Sequence, residues 1–171
     1  MTRKGSFKAI ASFVVRPMKL KDLKIKGFIP LSMLDWPGKI CSVIFLAGCN
    51  FRCPFCHNHR LVVGYDGIPD FPLDEMVTYL KNRKGWIDGV TVTGGEPTVN
   101  PNLIELLELI KRLEFSVKLD TNGSNPAVLG KLLDLNLISA ISMDIKAPLD
   151  DERYSRVAGI NADVKKIKRS I

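Results

Sequence analysis

Cys49, Cys53 and Cys56 share one short run, within the stretch ICSVIFLAGCNFRCPFCHNHR from Ile40 to Arg60. Three thiolates at a C-x3-C-x2-C spacing can converge on one inorganic centre, because Asn50-Phe51-Arg52 and Pro54-Phe55 are just long enough for the backbone to wrap it. Iron-sulfur clusters are held by such thiolates, usually four of them. With only three close together, one iron of a four-iron cluster would lack a protein ligand, and an open metal position marks chemistry rather than structure. The structural alternative is a zinc knot completed by His57 or His59, since zinc favours closed Cys/His sites.

Other chemistry-bearing residues fall at related places. Ile40 to Leu46 is rich in β-branched and apolar residues, as a buried strand is, and Ala47-Gly48 breaks it, so the thiols follow a strand's C-terminal end. Gly89 to Thr93 predicts a second strand ending at Gly94-Gly95-Glu96-Pro97, where two residues without side chains let backbone approach a ligand and Glu96 offers a carboxylate. A tight strand-to-helix turn is the plainer reading of those glycines. Phe115 to Leu119 predicts a third strand ending at Asp120-Thr121-Asn122, itself an ordinary turn by composition, and Ile138 to Met143 a fourth, ending at Asp144 and Lys146. A surface salt bridge is the alternative for that last pair. In parallel α/β folds the C-terminal strand edge is where ligands bind, so topology alone brings these four stretches to one surface.

Helices must separate these strands. Leu73, Met76, Val77 and Leu80 recur at helical spacing between Pro72 and Gly85. Leu103, Leu106, Leu107, Ile110 and Leu113 mark a second helix opened by Asn100-Pro101, Pro126 to Leu135 a third, and Asp151 to Val157 and Asp163 to Ser170 two more. Before the first strand, Ile25 to Met33 is a short apolar segment and Asp35-Trp36-Pro37-Gly38 a turn, with Trp36 a packing anchor. Gly64 to Pro72 reads as a loop. The fold class is α/β, with a parallel sheet of four strands. Cys41, inside the apolar strand, reads as a buried structural thiol, and could be a fourth ligand only of a closed cluster.

The string from Cys49 to Asn58, with an aromatic residue just before its last cysteine, resembles the cluster loop of the radical S-adenosylmethionine (SAM) superfamily. The flanking residues 34–39 (LDWPGK) and 43–48 (VIFLAG) are most similar to the anaerobic ribonucleoside-triphosphate reductase activating proteins, relatives of the pyruvate formate-lyase activating enzyme. The resemblance runs from about Lys24 to the end. It implies a parallel (β/α) partial barrel and a 4Fe-4S cluster on Cys49, Cys53 and Cys56, through which catalysis runs. SAM would chelate the open iron and be cleaved by an electron from the cluster to a 5′-deoxyadenosyl radical. Gly94-Gly95-Glu96 matches a motif contacting the methionyl amine, Asp120 lies in a segment beside the SAM ribose, and Lys146 matches a lysine near the SAM carboxylate. Asp120 and Asp144 can together help hold a monovalent cation, and Phe55, chiefly through its backbone, and Asn58 match positions approaching the adenine. His57 and His59 have no ligand role in that reading.

The resemblance further implies a protein substrate: a glycyl-radical enzyme, anaerobic ribonucleotide reductase being the expected partner, with flavodoxin or ferredoxin as electron donor. A radical SAM enzyme acting on a small molecule, such as a 7-carboxy-7-deazaguanine synthase-like ring contraction, shares the same motifs. A zinc or iron-sulfur binding module without catalysis is the non-enzymatic rival.

At 171 residues and 46% apolar composition the chain is long enough for one domain with a core. Its net charge of +7 comes from the start: residues 1–26 hold eight Lys/Arg and one acid, leaving seventeen of each sign in the remainder. Residues 1–23 therefore read as a solvated basic extension and 24–171 as the radical SAM domain. Without interleaved aromatics beyond Phe7 and Phe13 the extension does not call for nucleic acid. Met18 offers a second start that would leave the first seventeen residues outside the native product. Clustered cysteines do not suit a disulfide framework, and no apolar run is long enough to cross a bilayer or clear enough for a signal peptide, so cytoplasmic residence is expected. The last expected helix runs to the final residues, where relatives continue through further β/α units. The partial barrel thus reads as truncated at its C-terminus.

Overall fold

The computed structural model describes residues 23–171. The basic extension up to residue 22, with the Met18 restart, lies outside the described residues. Leu23 already packs into the main core.

Five strands form one sheet in chain order. β1 (Ile25–Ser32) runs antiparallel to β2 (Cys41–Leu46), and β2, β3 (Gly89–Gly94), β4 (Ser116–Thr121) and β5 (Ala140–Met143) are mutually parallel neighbours. The four parallel strands match the sequence expectation. β1 corrects it, because the segment expected only as an apolar lead-in is an eight-residue strand. Pro30 and two register shifts, at Ile25/Gly27 and Ile29/Ser32, hide its alternation. An edge strand tolerates the missing proline donor, and the Ser42 hydroxyl still donates to the Pro30 carbonyl at 2.7 Å.

Crossovers carry α2 (Leu73–Asn82), α3 (Leu103–Arg112) and α4 (Pro126–Asp134) to one face of the sheet. Side chains alternate along each strand, and Ile44, Leu46, Val90, Val92, Val117 and Leu119 all point to that face. There they meet Met76, Leu80, Leu106, Leu107, Ile110 and Leu132 in the main core. The opposite face changes character across the sheet. Over β2 it is apolar: buried Cys41 and Val43 pack with Trp36, which acts as the anchor its position suggested. The Thr91 hydroxyl donates to Cys41 Sγ at 3.5 Å, so this thiol belongs to packing rather than to the cysteine loop. Toward β4 the same face carries Lys118 and Asp120.

After the cysteine loop comes α1 (His59–Val62), a single helical turn that the sequence pattern does not signal. α5 (Asp151–Ala158) and α6 (Val164–Ser170) begin within a residue of expectation, capped by the side chains of Asp150 and Asp163. They build a second apolar cluster in which Phe51, Tyr154, Ala158, Val164 and Ile167 are buried and Cys49, Cys53 and Met143 pack at its margin. The cysteine loop therefore rests on a hydrophobic floor of its own. Among the described residues no helix is long and apolar enough to cross a membrane.

Candidate functional site

Leu46 ends β2 against β3, and the chain then turns into the cysteine loop through a series of backbone bonds. Gly48 N–H donates to Leu61 O (2.7 Å), Glu96 N–H to Gly48 O (2.8 Å) and Arg52 N–H to Ala158 O (2.8 Å). The Arg52 guanidinium donates to the carbonyls of Cys49 and Phe51 at 2.6 and 2.7 Å, curling the loop on itself. Phe51 is buried edge-on against Tyr154, with ring centroids 6.3 Å apart. All three thiols are free and partly accessible.

Burial pushes the Cys49 thiol above its ordinary value, and Glu96 and the other two cysteines push the same way, against a hydrogen bond from Phe51 N–H. Burial also raises Cys53, partly offset by the Lys146 ammonium. Both thiols are thus kept protonated until a metal displaces the proton. Among the described residues no three or more His, Cys, Asp or Glu side chains gather into a single-ion site. His57 is exposed beside the loop and His59 starts α1. Three free thiols on one anchored loop, with a cation nearby, fit a multi-iron cluster whose corners each take one thiolate.

The four strand ends open on one cavity of about 750 Å³, a size typical of small-molecule sites. Cys49, Cys56, Phe55 and Asn58 line it from the loop, Gly94, Gly95 and Glu96 from the end of β3 and the turn after it, Lys118, Asp120 and Asn122 from β4 and just past it, and Asp144 and Lys146 from the segment after β5. Every expected site residue except Cys53 lines this cavity; Cys53 faces the α5 side, where its thiol donates to Ala158 O at 3.8 Å.

The glycine pair has a packing cause as well. A Cβ on Gly94, at φ +125°, would lie 2.2 Å from Leu46 O, and one on Gly95 would lie 2.0 Å from Gly48 O. No larger residue lets β3 sit this close to the cysteine loop. Asn58 closes the same seam, its side-chain amide donating to Gly94 O at 3.0 Å.

Glu96 is 1% exposed, and its carboxylate is occupied by the protein itself. Oε1 accepts from Thr98 N–H (3.0 Å) and from the hydroxyls of Thr98 (2.5 Å) and Thr121 (2.7 Å), while Oε2 accepts from Asn122 N–H (2.6 Å). The side chain ties β3 to β4.

Two lysine-aspartate pairs face the cavity from β4 and from the segment after β5. Lys146 Nζ contacts Asp144, so the salt bridge is formed, yet both residues still line the cavity. Burial pulls the Lys146 ammonium down, but the hydrogen bond and charge of Asp144, with Cys53 and Cys56, hold it above its ordinary value. Lys118, 6% exposed, contacts Asp120. Sequence reasoning missed Lys118, though its place two residues before Asp120 on one strand puts both on the same face. It also missed Tyr154, whose hydroxyl accepts from Lys146 N–H at 3.4 Å; no local pattern marks it.

Comparison with known proteins agrees with this geometry. A family model described as the radical SAM superfamily matches residues 43–171. A Methanocaldococcus jannaschii protein named "Putative glycyl-radical enzyme activating enzyme" is 33% identical over 86% of this chain and 59% of its own length. The pyruvate formate-lyase-activating enzyme of Clostridium pasteurianum is 32% identical over 80% of this chain and 57% of that one. A 7-carboxy-7-deazaguanine synthase of Neisseria meningitidis is 37% identical over a shorter part, 48% of this chain and 35% of its own. This chain therefore spans under two thirds of the length of the curated relatives it matches. In fold it is similar to QueE from Escherichia coli, with a TM-score of 0.50 at 17% identity, over 85% of this chain and 66% of that one. With three thiols on a strand-end loop, the glycine-glycine-glutamate turn beside them and a family model over three quarters of its length, the chain belongs to the radical SAM superfamily, whose cofactors are a 4Fe-4S cluster and SAM.

Proposed function

We propose that this chain is the radical SAM unit of an activase that removes a hydrogen atom from a glycine Cα of a partner enzyme, with anaerobic ribonucleotide reductase as the partner. Cys49, Cys53 and Cys56 hold the cluster. When bound, cluster and SAM supply the one-electron cleavage and the hydrogen abstraction. The chain's own residues bind and orient. Lys146 offers its ammonium to the SAM carboxylate, a charge-assisted pairing. Gly94, Gly95 and Glu96 would form the wall beside the methionyl amine, Phe55 and Asn58 that beside the adenine, and Asp120 that beside the ribose. Flavodoxin or ferredoxin supplies the electron.

The observation that carries the reading is the match, over 80% or more of this chain, to two relatives named as activating enzymes. Leu34, 92% exposed, Asp35 and the exposed Phe55 also line the cavity. The names of the two longer-matching relatives support the same class.

The test measures 5′-deoxyadenosine and the glycyl-radical EPR signal with reconstituted protein, reductant and SAM, with and without the reductase. Partner-dependent cleavage and a radical lost when the partner's glycine becomes alanine support the proposal. The match to a 7-carboxy-7-deazaguanine synthase favours a second reading, a small-molecule substrate. Tight coupling of SAM cleavage to a small substrate alone would replace the activase assignment.

A further inference from the structure

The four strand ends do more than surround a cavity, for one side chain just past β4 reaches the cysteine loop itself. Asn122 is 6% exposed, and its backbone N–H and both ends of its side-chain amide are hydrogen-bonded. Its backbone N–H donates to Glu96 Oε2 at 2.6 Å, and its side-chain carbonyl accepts from Ser124 N–H at 2.9 Å. That second bond fixes which way the amide points. The NH2 end must then face the loop, where it donates to Asn50 Oδ1 at 3.0 Å and lies 3.9 Å from Cys49 Sγ. Asn50 is held in turn by the Ser124 hydroxyl, 2.8 Å from its Nδ2. Cys49 also accepts from Phe51 N–H at 3.3 Å. Of the three loop cysteines it alone receives a side-chain donor in the described hydrogen bonds.

We propose that Asn122 is a positioning residue for the cluster, an amide donor to the Cys49 sulfur that raises the cluster's reduction potential. The inference rests on the assignment of Cys49 as a cluster ligand. Reduction from the 2+ to the 1+ state adds one electron, and the added negative charge spreads onto the sulfurs. A hydrogen bond to a ligand sulfur stabilises the reduced state more than the oxidised one. Glu96 contributes from behind by holding the Asn122 backbone, so the glycine-glycine-glutamate turn is coupled to the cluster through β4.

The test is a mediated dithionite titration of the anaerobically reconstituted full chain, followed by EPR without SAM, for wild type, Asn122→Ala and Asn122→Asp. Both variants are expected to titrate at lower potential. For Asn122→Asp, which also adds a carboxylate, the reduced-to-oxidised ratio at the wild-type midpoint falls about tenfold, equivalent to 59 mV for one electron. Clusters that assemble fully in both variants with an unmoved midpoint overturn the proposal, because a merely structural or SAM-contacting asparagine would not change the SAM-free potential. A second measurement needs no variant. In wild type, 15N placed in asparagine side-chain amides is expected to couple to the reduced cluster in hyperfine spectra, and absence of that coupling overturns the proposal equally. If wild type assembles no cluster at all, the ligand assignment fails and this inference falls with it.

Discussion

Glu96 shows how a residue type can be read correctly while its partners stay hidden. Its carboxylate could be expected at a ligand, but the Thr121 and Asn122 donors that occupy it lie 25 and 26 residues on, and only the pairing of β3 with β4 brings them together. Glu96→Gln keeps the shape but turns an amide NH2 toward groups that themselves donate, and a buried donor left unpaired costs about 1–3 kcal/mol. The variant is expected to lose about 2 kcal/mol in denaturant unfolding of the cluster-free protein; a loss below a few tenths would mean the clamp does not form. The thiols make a pH prediction. Cys41, Cys49 and Cys53 are all raised by burial above the ordinary value of 9.0. In the window above pH 9 the folded cluster-free chain then binds more protons than the unfolded one. Their stabilising contribution is complete below that value and is lost as pH rises through the folded pKa values. Urea midpoints of the cluster-free protein should hold level up to about pH 8 and fall above pH 9; a rise there would contradict the burial of these thiols.

Between elements, the decisive contact is the seam where β3 meets the cysteine loop. Gly95 has no room for a methyl group, since Gly48 O stands where its Cβ would be. Gly95→Ala is expected to push the loop off the strand and cut iron and sulfide incorporation to less than about half of wild type, with far-ultraviolet circular dichroism unchanged. Full loading would show that the seam is loose. The elements that could be read from the chain were those with an unbroken period: the β-branched runs of β2 and β3, and the leucine spacing of α3. β1 escaped because Pro30 and two register shifts interrupt it, and α1 because a single turn has too few residues to show a period. The clustering of four polar strand ends was legible from parallel topology alone. The ties between them, Asn58 to Gly94 and Asn122 to Asn50, were not, because each joins side chains whose separation in sequence gives no local signal.

For the whole molecule, the sheet divides labour between its faces. One face buries a continuous aliphatic core under α2, α3 and α4, each fully buried Leu, Ile or Val contributing about 1.5–3 kcal/mol, and this fixes where the strand ends fall. The other face and the strand ends are thereby free to carry Lys118, Asp120 and the cysteine loop. All the chemistry proposed for this site depends on the loop holding a cluster with an iron left open to SAM. EPR of the anaerobically reconstituted, reduced chain, recorded with and without SAM, tests it most directly. A reduced-cluster signal whose g-values shift when SAM is added is the result predicted. A cluster signal indifferent to SAM, or a chain that takes up one zinc and no sulfide, would contradict it.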